Sequence, residues 1–76
     1  MRGMGRRVRE LRRGKQVRQK DFATLLGVTR MSIWRLENNK LNISVEKCVR
    51  IAEYFDVSLD FLILGINKKR EEEKKC

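Results

Sequence analysis

Arg30, Met31, Trp34, Arg35 and Asn38 recur at spacings that an α-helix brings onto one face. The chemistry such a set can do is recognition, not bond-making. Arginine presents planar, paired N–H donors that match paired acceptors, and Met and Trp add apolar surface beside them. A helix fits the major groove of duplex DNA, where guanine offers two acceptors side by side. Bond-making chemistry is poorly provided for. Histidine is absent, no carboxylates pair at a useful spacing, and there is no glycine-rich phosphate loop. Cys48 and Cys76 are too few and too far apart for a zinc site or a disulfide framework. Cys48 lies among apolar neighbours and reads as a core residue, and Cys76 as a free terminal thiol. Neither an enzyme nor a cofactor nor a metal is expected.

A face of this kind works only if something holds its back. The chain has no proline and no β-type alternation, and its apolar residues come in short bursts at helical spacing. Met4, Val8 and Leu11 predict a first helix over about residues 4–14, with a start frayed by Gly3 and Gly5. Phe22, Leu25 and Leu26, with Ala23 inside, predict a second over about 19–26, ended by Gly27 in the left-handed conformation. Thr29 caps a third helix, about 29–38, with Ile33, Leu36 and Glu37 inward and Asn38-Asn39 at its end. Ser44 caps a fourth, about 44–55, with Val45, Cys48, Val49, Ala52 and Phe55 inward or nearly so. After Asp56, Ser58 caps a fifth running through Phe61, Leu62 and Leu64 to Gly65. Helices two and three are then joined by a tight turn at Gly27, and Ala23 is small because helices crossing at such a turn come very close.

Seventy-six residues suffice for one small core. The net charge is +9, and residues 1–20 hold nine Arg or Lys against one Glu. So concentrated a basic region suits a polyanion, and equally a solvated tail. The division expected is a basic arm over 1–7, a helical domain over 8–65 and a charged, disordered tail over 66–76, where Glu71 and Lys75 form a helix-compatible pair. With no long apolar run and no signal-like leader, a cytoplasmic protein is expected.

Residues 8–65 resemble the Cro and phage-repressor (XRE) type of helix-turn-helix regulator. The resemblance rests on Gln19, Ala23, Gly27-Val28-Thr29-Arg30, Ile33, Leu36-Glu37-Asn38-Asn39-Lys40, Ile51-Ala52 and Val57-Ser58-Leu59-Asp60. It implies an all-α, compact five-helix lambda-repressor-like domain binding double-stranded DNA. It further implies that Arg30, Met31 and Arg35 meet base edges, with Ser32 touching base or backbone and Thr29 beside them at the helix start. Gln19 falls where a phosphate is bound and the reading helix braced, and Asn38 and Lys40 match backbone-contacting positions. Arg12 and Glu37 match a partly buried ion pair. Arg18 departs from the usual Ser or Thr cap, cannot accept the capping hydrogen bond, and is given a phosphate instead. Gln16 replaces a usual glycine, and Ile43 a frequent proline. Trp34 departs too, with its ring either against thymine methyls or sugar, or folded back over helix two.

One reading helix covers few base pairs, so the resemblance implies a homodimer on a near-palindromic operator. Phe61, Ile63, Leu64 and Ile66 supply the apolar surface for it, beyond what so small a core can use. No membrane and no small-molecule ligand is expected as partner. The alternative is an antitoxin-like module that binds DNA together with a protein, for which the tail is poor in apolar residues.

Overall fold

The computed structural model describes residues 3–66. The expected tail beyond Ile66, with its Glu71–Lys75 pair and Cys76, and Arg2 of the expected arm lie outside the described residues. Five helices follow one another: α1 (Met4–Gly14), α2 (Gln19–Leu26), α3 (Arg30–Glu37), α4 (Val45–Phe55) and α5 (Asp60–Leu64). Met4, Val8, Phe22, Ala23, Leu26, Ile33, Leu36, Cys48, Ile51, Ala52, Phe55 and Leu62 form one buried cluster drawn from all five. The Phe22 ring lies 5.5 Å from Phe55 and 6.2 Å from Tyr54, which closes the α2–α4 side. Cys48 is fully buried, and desolvation pushes its thiol pKa up, so it is inert packing material.

The helix boundaries are chemical. Gly27 ends α2 in the left-handed conformation, φ 73°, and Val28 N donates back to Ala23 O at 3.0 Å. Thr29 Oγ1 accepts from Ser32 N at 3.1 Å and starts α3. Asn39, and not Asn38, takes the left-handed conformation that ends α3, φ 59°. Ser44 Oγ accepts from Lys47 N at 3.2 Å to start α4. Asp56 ends that helix at φ 57°.

Several expectations change. α1 begins at Met4, as the expected helix over about 4–14 has it, and Met4 and Gly5 are buried in it. Gly5 does not fray the helix; it lets α1 touch the end of α3. A Cβ there would stand 2.3 Å from Leu36 O and 2.8 Å from Glu37 O, and its N–H donates to Asn39 Oδ1 at 3.3 Å. Arg7, expected in the arm, reaches α5, where Nε donates to Leu62 O at 2.9 Å and Nη2 to Ile63 O at 2.8 Å. These carbonyls lie at the C-terminal end of α5, where a cation is favourable.

Leu25 is largely exposed, because the buried stripe of an eight-residue helix is filled by Phe22, Ala23 and Leu26. Val45 is also exposed, since the first turn of α4 runs past the cluster, whose first α4 member is Cys48. Ser58 Oγ accepts from Phe61 N at 3.0 Å as expected of a cap, yet α5 is wound as a single π-type turn.

Gly5→Ala should therefore lower the melting temperature. Helix propensity favours Ala by about 1 kcal/mol, but overpacking costs about 1–3 kcal/mol and here meets backbone that cannot swing aside. A thermal melt checks the sign, and a gain in stability would contradict the close approach.

Candidate nucleic-acid interface

α2 and α3 pack through Ala23, which is almost fully buried at the crossing. Ile33, Leu36 and Glu37 hold α3 to the body, and the opposite face is open. Arg30, Met31, Trp34 and Arg35 are exposed there, with Ser32 and Asn38 half-buried at its edges. The residues the sequence puts on one reading face are thus brought together in space.

The back of α3 is held by a buried polar lock. Arg12 Nε donates to Glu37 Oε2 at 2.6 Å, and Arg12 Nη2 to Glu37 Oε1 at 3.0 Å. Gln19 Nε2 donates to the same Oε1 at 3.1 Å, so one carboxylate ties the starts and ends of α1, α2 and α3 together. Arg12 Nη1 also donates to Val17 O at 2.9 Å, which fixes the connection into α2. Among the described residues no buried side-chain polar atom lacks a partner. α3 is therefore held at a fixed height and rotation relative to α2.

Beside the lock lies a basic concavity lined by Arg12, Arg13, Arg18, Gln19, Lys20 and Arg30. Arg13 and Lys20 were not singled out from the sequence; the only trace of them is the basic run before residue 21. Arg18 precedes α2 without capping it, and its Nε instead donates to Asp21 Oδ2 at 3.1 Å across an exposed pair. The first N–H groups of α2 thus keep no side-chain acceptor where the surrounding charge is positive. Such a concavity suits the sugar–phosphate backbone of a nucleic acid.

Two side chains are partly committed elsewhere. The Thr29 hydroxyl caps α3 and donates to Ser32 Oγ at 3.1 Å. Asn38 Nδ2 donates to Trp34 O at 2.8 Å, and Lys40 is exposed just beyond. On α5 and just past its end, Leu64 is 65 % and Ile66 42 % exposed, while Phe61 and Ile63 are half-buried and Ile63 packs against the core. Among the described residues no acidic, Cys or His cluster could hold a metal ion. No described helix is long and apolar enough to cross a membrane.

A family model described as helix-turn-helix matches residues 8–62. Among solved structures, the chain is similar to the P22 c2 repressor protein in complex with a synthetic operator. That likeness has 25% identity and a TM-score of 0.76, over 83% of this chain and 96% of the other. It is also similar to the restriction-modification controller protein C.AhdI from Aeromonas hydrophila. There the identity is 30% and the TM-score 0.68, over 79% of this chain and 87% of the other. No curated protein sequence matches.

Proposed function

The chain belongs to the helix-turn-helix family, as a DNA-binding transcription regulator of the Cro and phage-repressor type, and we propose that it represses by binding a near-palindromic operator as a symmetric dimer. The observation that carries this reading is the contrast between the two faces of α3. One is locked through Glu37, and the other presents Arg30 and Arg35 to solvent on a rigid base. In this reading α3 enters the major groove with Arg30 and Arg35 reading base edges. Arg13, Arg18, Lys20 and Lys40 follow the phosphates, and Gln19 both meets a phosphate and braces α3 through Glu37. The P22 c2 repressor, to which this chain is similar, is seen in complex with a synthetic operator, which supports the mode of binding.

The second copy is assigned to α5. Leu64 and Ile66 carry most of the exposed apolar surface, flanked by Phe61 and Ile63. Burying such side chains contributes several kcal/mol in gross terms at about 25 cal/mol per Å². Association costs remove most of it, so the dimer expected is in the micromolar range or tighter and not an obligate one.

Base-reading and phosphate-holding residues separate on two duplexes, one cognate and one scrambled. Arg30→Ala and Arg35→Ala should each weaken the cognate site by about 1–3 kcal/mol and change little on scrambled DNA. Gln19→Ala and Lys40→Ala should weaken both about equally. Equal losses on both duplexes for the two α3 arginines would sink the assignment of α3 as reader.

A further inference from the structure

A cleft of about 220 Å³ opens between α3, the α2–α3 turn and the segment 41–44 that leads into α4. Its walls are aliphatic, built from Leu26, Val28, Ile33, Leu36, Leu41 and Ile43. Ser32, Ser44 and Lys47 supply the polar part of the lining. The Arg12–Glu37 lock holds α3 at its last residue, and the cleft borders the same helix from Ser32 to Leu36. Lys47 is half-buried, and among the described residues its ammonium meets no carboxylate.

Size and charge narrow the occupant. An apolar cavity of roughly 150 Å³ holds a benzene ring, so this cleft has room for about eight or nine carbon atoms. A protein face is far too large for it, since a stable interface covers about 800 Å² per partner. A neutral hydrocarbon would take water from Lys47 and return no countercharge. A carboxylate with an alkyl tail returns one negative charge for one positive and lays its tail on walls that are themselves aliphatic.

We propose that this cleft binds a small amphiphilic carboxylate, with an alkyl tail of about six to eight carbons among the aliphatic walls and its head on Lys47, and that the bound anion weakens DNA binding. This departs from the expectation that no small molecule is a partner. The binding stands by itself, whereas the coupling rests on the reading of α3 given above. Ser32 sits at the edge of the reading face, and Lys40, assigned to a phosphate, adjoins Leu41 of the cleft wall. A carboxylate held there adds negative charge beside the path of the DNA backbone, and like charges repel.

The experiment titrates the full chain with octanoate, with acetate at equal concentration as the control for ionic strength. Amide resonances of Val28, Ser32, Leu41 and Lys47 should shift saturably with octanoate and not with acetate. Hexanoate should bind about fifteenfold more weakly, about fourfold for each CH₂ removed from the cleft. Hexanamide keeps the tail and loses the charge, so it should bind several-fold more weakly than hexanoate. In Lys47→Gln the two should bind alike; the Lys47 side chain has no hydrogen bond or ion pair among the described residues, so the variant should melt as the parent does. Saturating octanoate should lower affinity for the best selected duplex about five- to tenfold, and the duplex should weaken octanoate by the same factor. Shifts centred on Leu64 and Ile66, a response to acetate, or equal binding of hexanoate and hexanamide by the parent overturns the site. Octanoate binding that fades as protein concentration rises means that a second copy fills the cleft, and overturns it too. Saturable binding with no effect on DNA affinity overturns the coupling. A protein that binds octanoate yet enriches no duplex from random DNA would overturn the reading of α3 instead.

Discussion

Raising salt from about 50 to about 200 mM should weaken binding to the best duplex roughly a thousandfold. The cause is counterion release: each phosphate neutralised by Lys or Arg frees condensed cations, and a dimer occupying about six phosphates has a log–log slope near −5. The structure makes such a number reasonable. Arg13, Arg18 and Lys20 line one concavity beside α2, and Lys40 is exposed beyond the end of α3; with Arg18 sharing its charge with Asp21, about three cations per protomer count fully. Several basic residues of the first twenty are otherwise engaged, since Arg7 holds α5 and Arg12 holds Glu37. The slope should therefore fall well short of what the total charge suggests. Lys20→Ala removes one phosphate contact per protomer and should flatten the slope by about two in the dimer. Titrations at four or five salt concentrations decide it, and an affinity flat with salt would contradict the phosphate assignment.

Glu37→Ala should cost about 3–5 kcal/mol of folding stability, because it leaves the Arg12 guanidinium buried and unpaired. Folded chains have about 0.05–0.15 kcal/mol per residue in hand, so this is a large share of the total, and the melting temperature should fall by roughly 12–40 °C. Glu37 is 1 % exposed and accepts hydrogen bonds from Arg12 and Gln19, so its removal orphans donors on two other helices. The net worth of the lock is a different quantity. Arg12→Met with Glu37→Leu replaces both charges by apolar volume and should recover most of the loss, as buried ion pairs often contribute little over a hydrophobic substitute. Such a double variant should nonetheless bind DNA less selectively, because the angle of α3 is then set by packing alone. Thermal melts of the single and double variants separate the two effects. A Glu37→Ala protein as stable as the parent would show that the lock is idle.

Both results depend on features of unequal visibility in the sequence. The helix-turn-helix was legible because its signals are local: Ala23 is small, Gly27 turns left-handed, and Thr29 and Ser44 cap the helices that follow. Each is decided by neighbours within four or five positions. Gly5 was not legible, because a glycine that admits a close approach looks in one dimension like a glycine that weakens a helix. Its partners are more than thirty positions away. Arg7 was lost in the same way among equivalent arginines, since only the fold brings the carbonyls of Leu62 and Ile63 to it. Leu25 and Val45 show a third limit. Periodicity defines an apolar face but not how much of it a neighbouring helix is long enough to cover. For the interface, the face of α3 could be read from spacing, whereas Arg13 and Lys20 needed the junction of three helices to become neighbours of Arg30.

Selection of binding sites from random duplex DNA tests the central claim most directly. A dimer reading with two copies of α3 should enrich one near-palindrome with half-sites about one helical turn, roughly 34 Å, apart. Its affinity should exceed that for scrambled DNA by at least about a thousandfold at physiological salt. Destroying one half-site should remove most of that advantage. Enrichment of no sequence, or of a single unpaired half-site bound as tightly as the full site, would contradict the account.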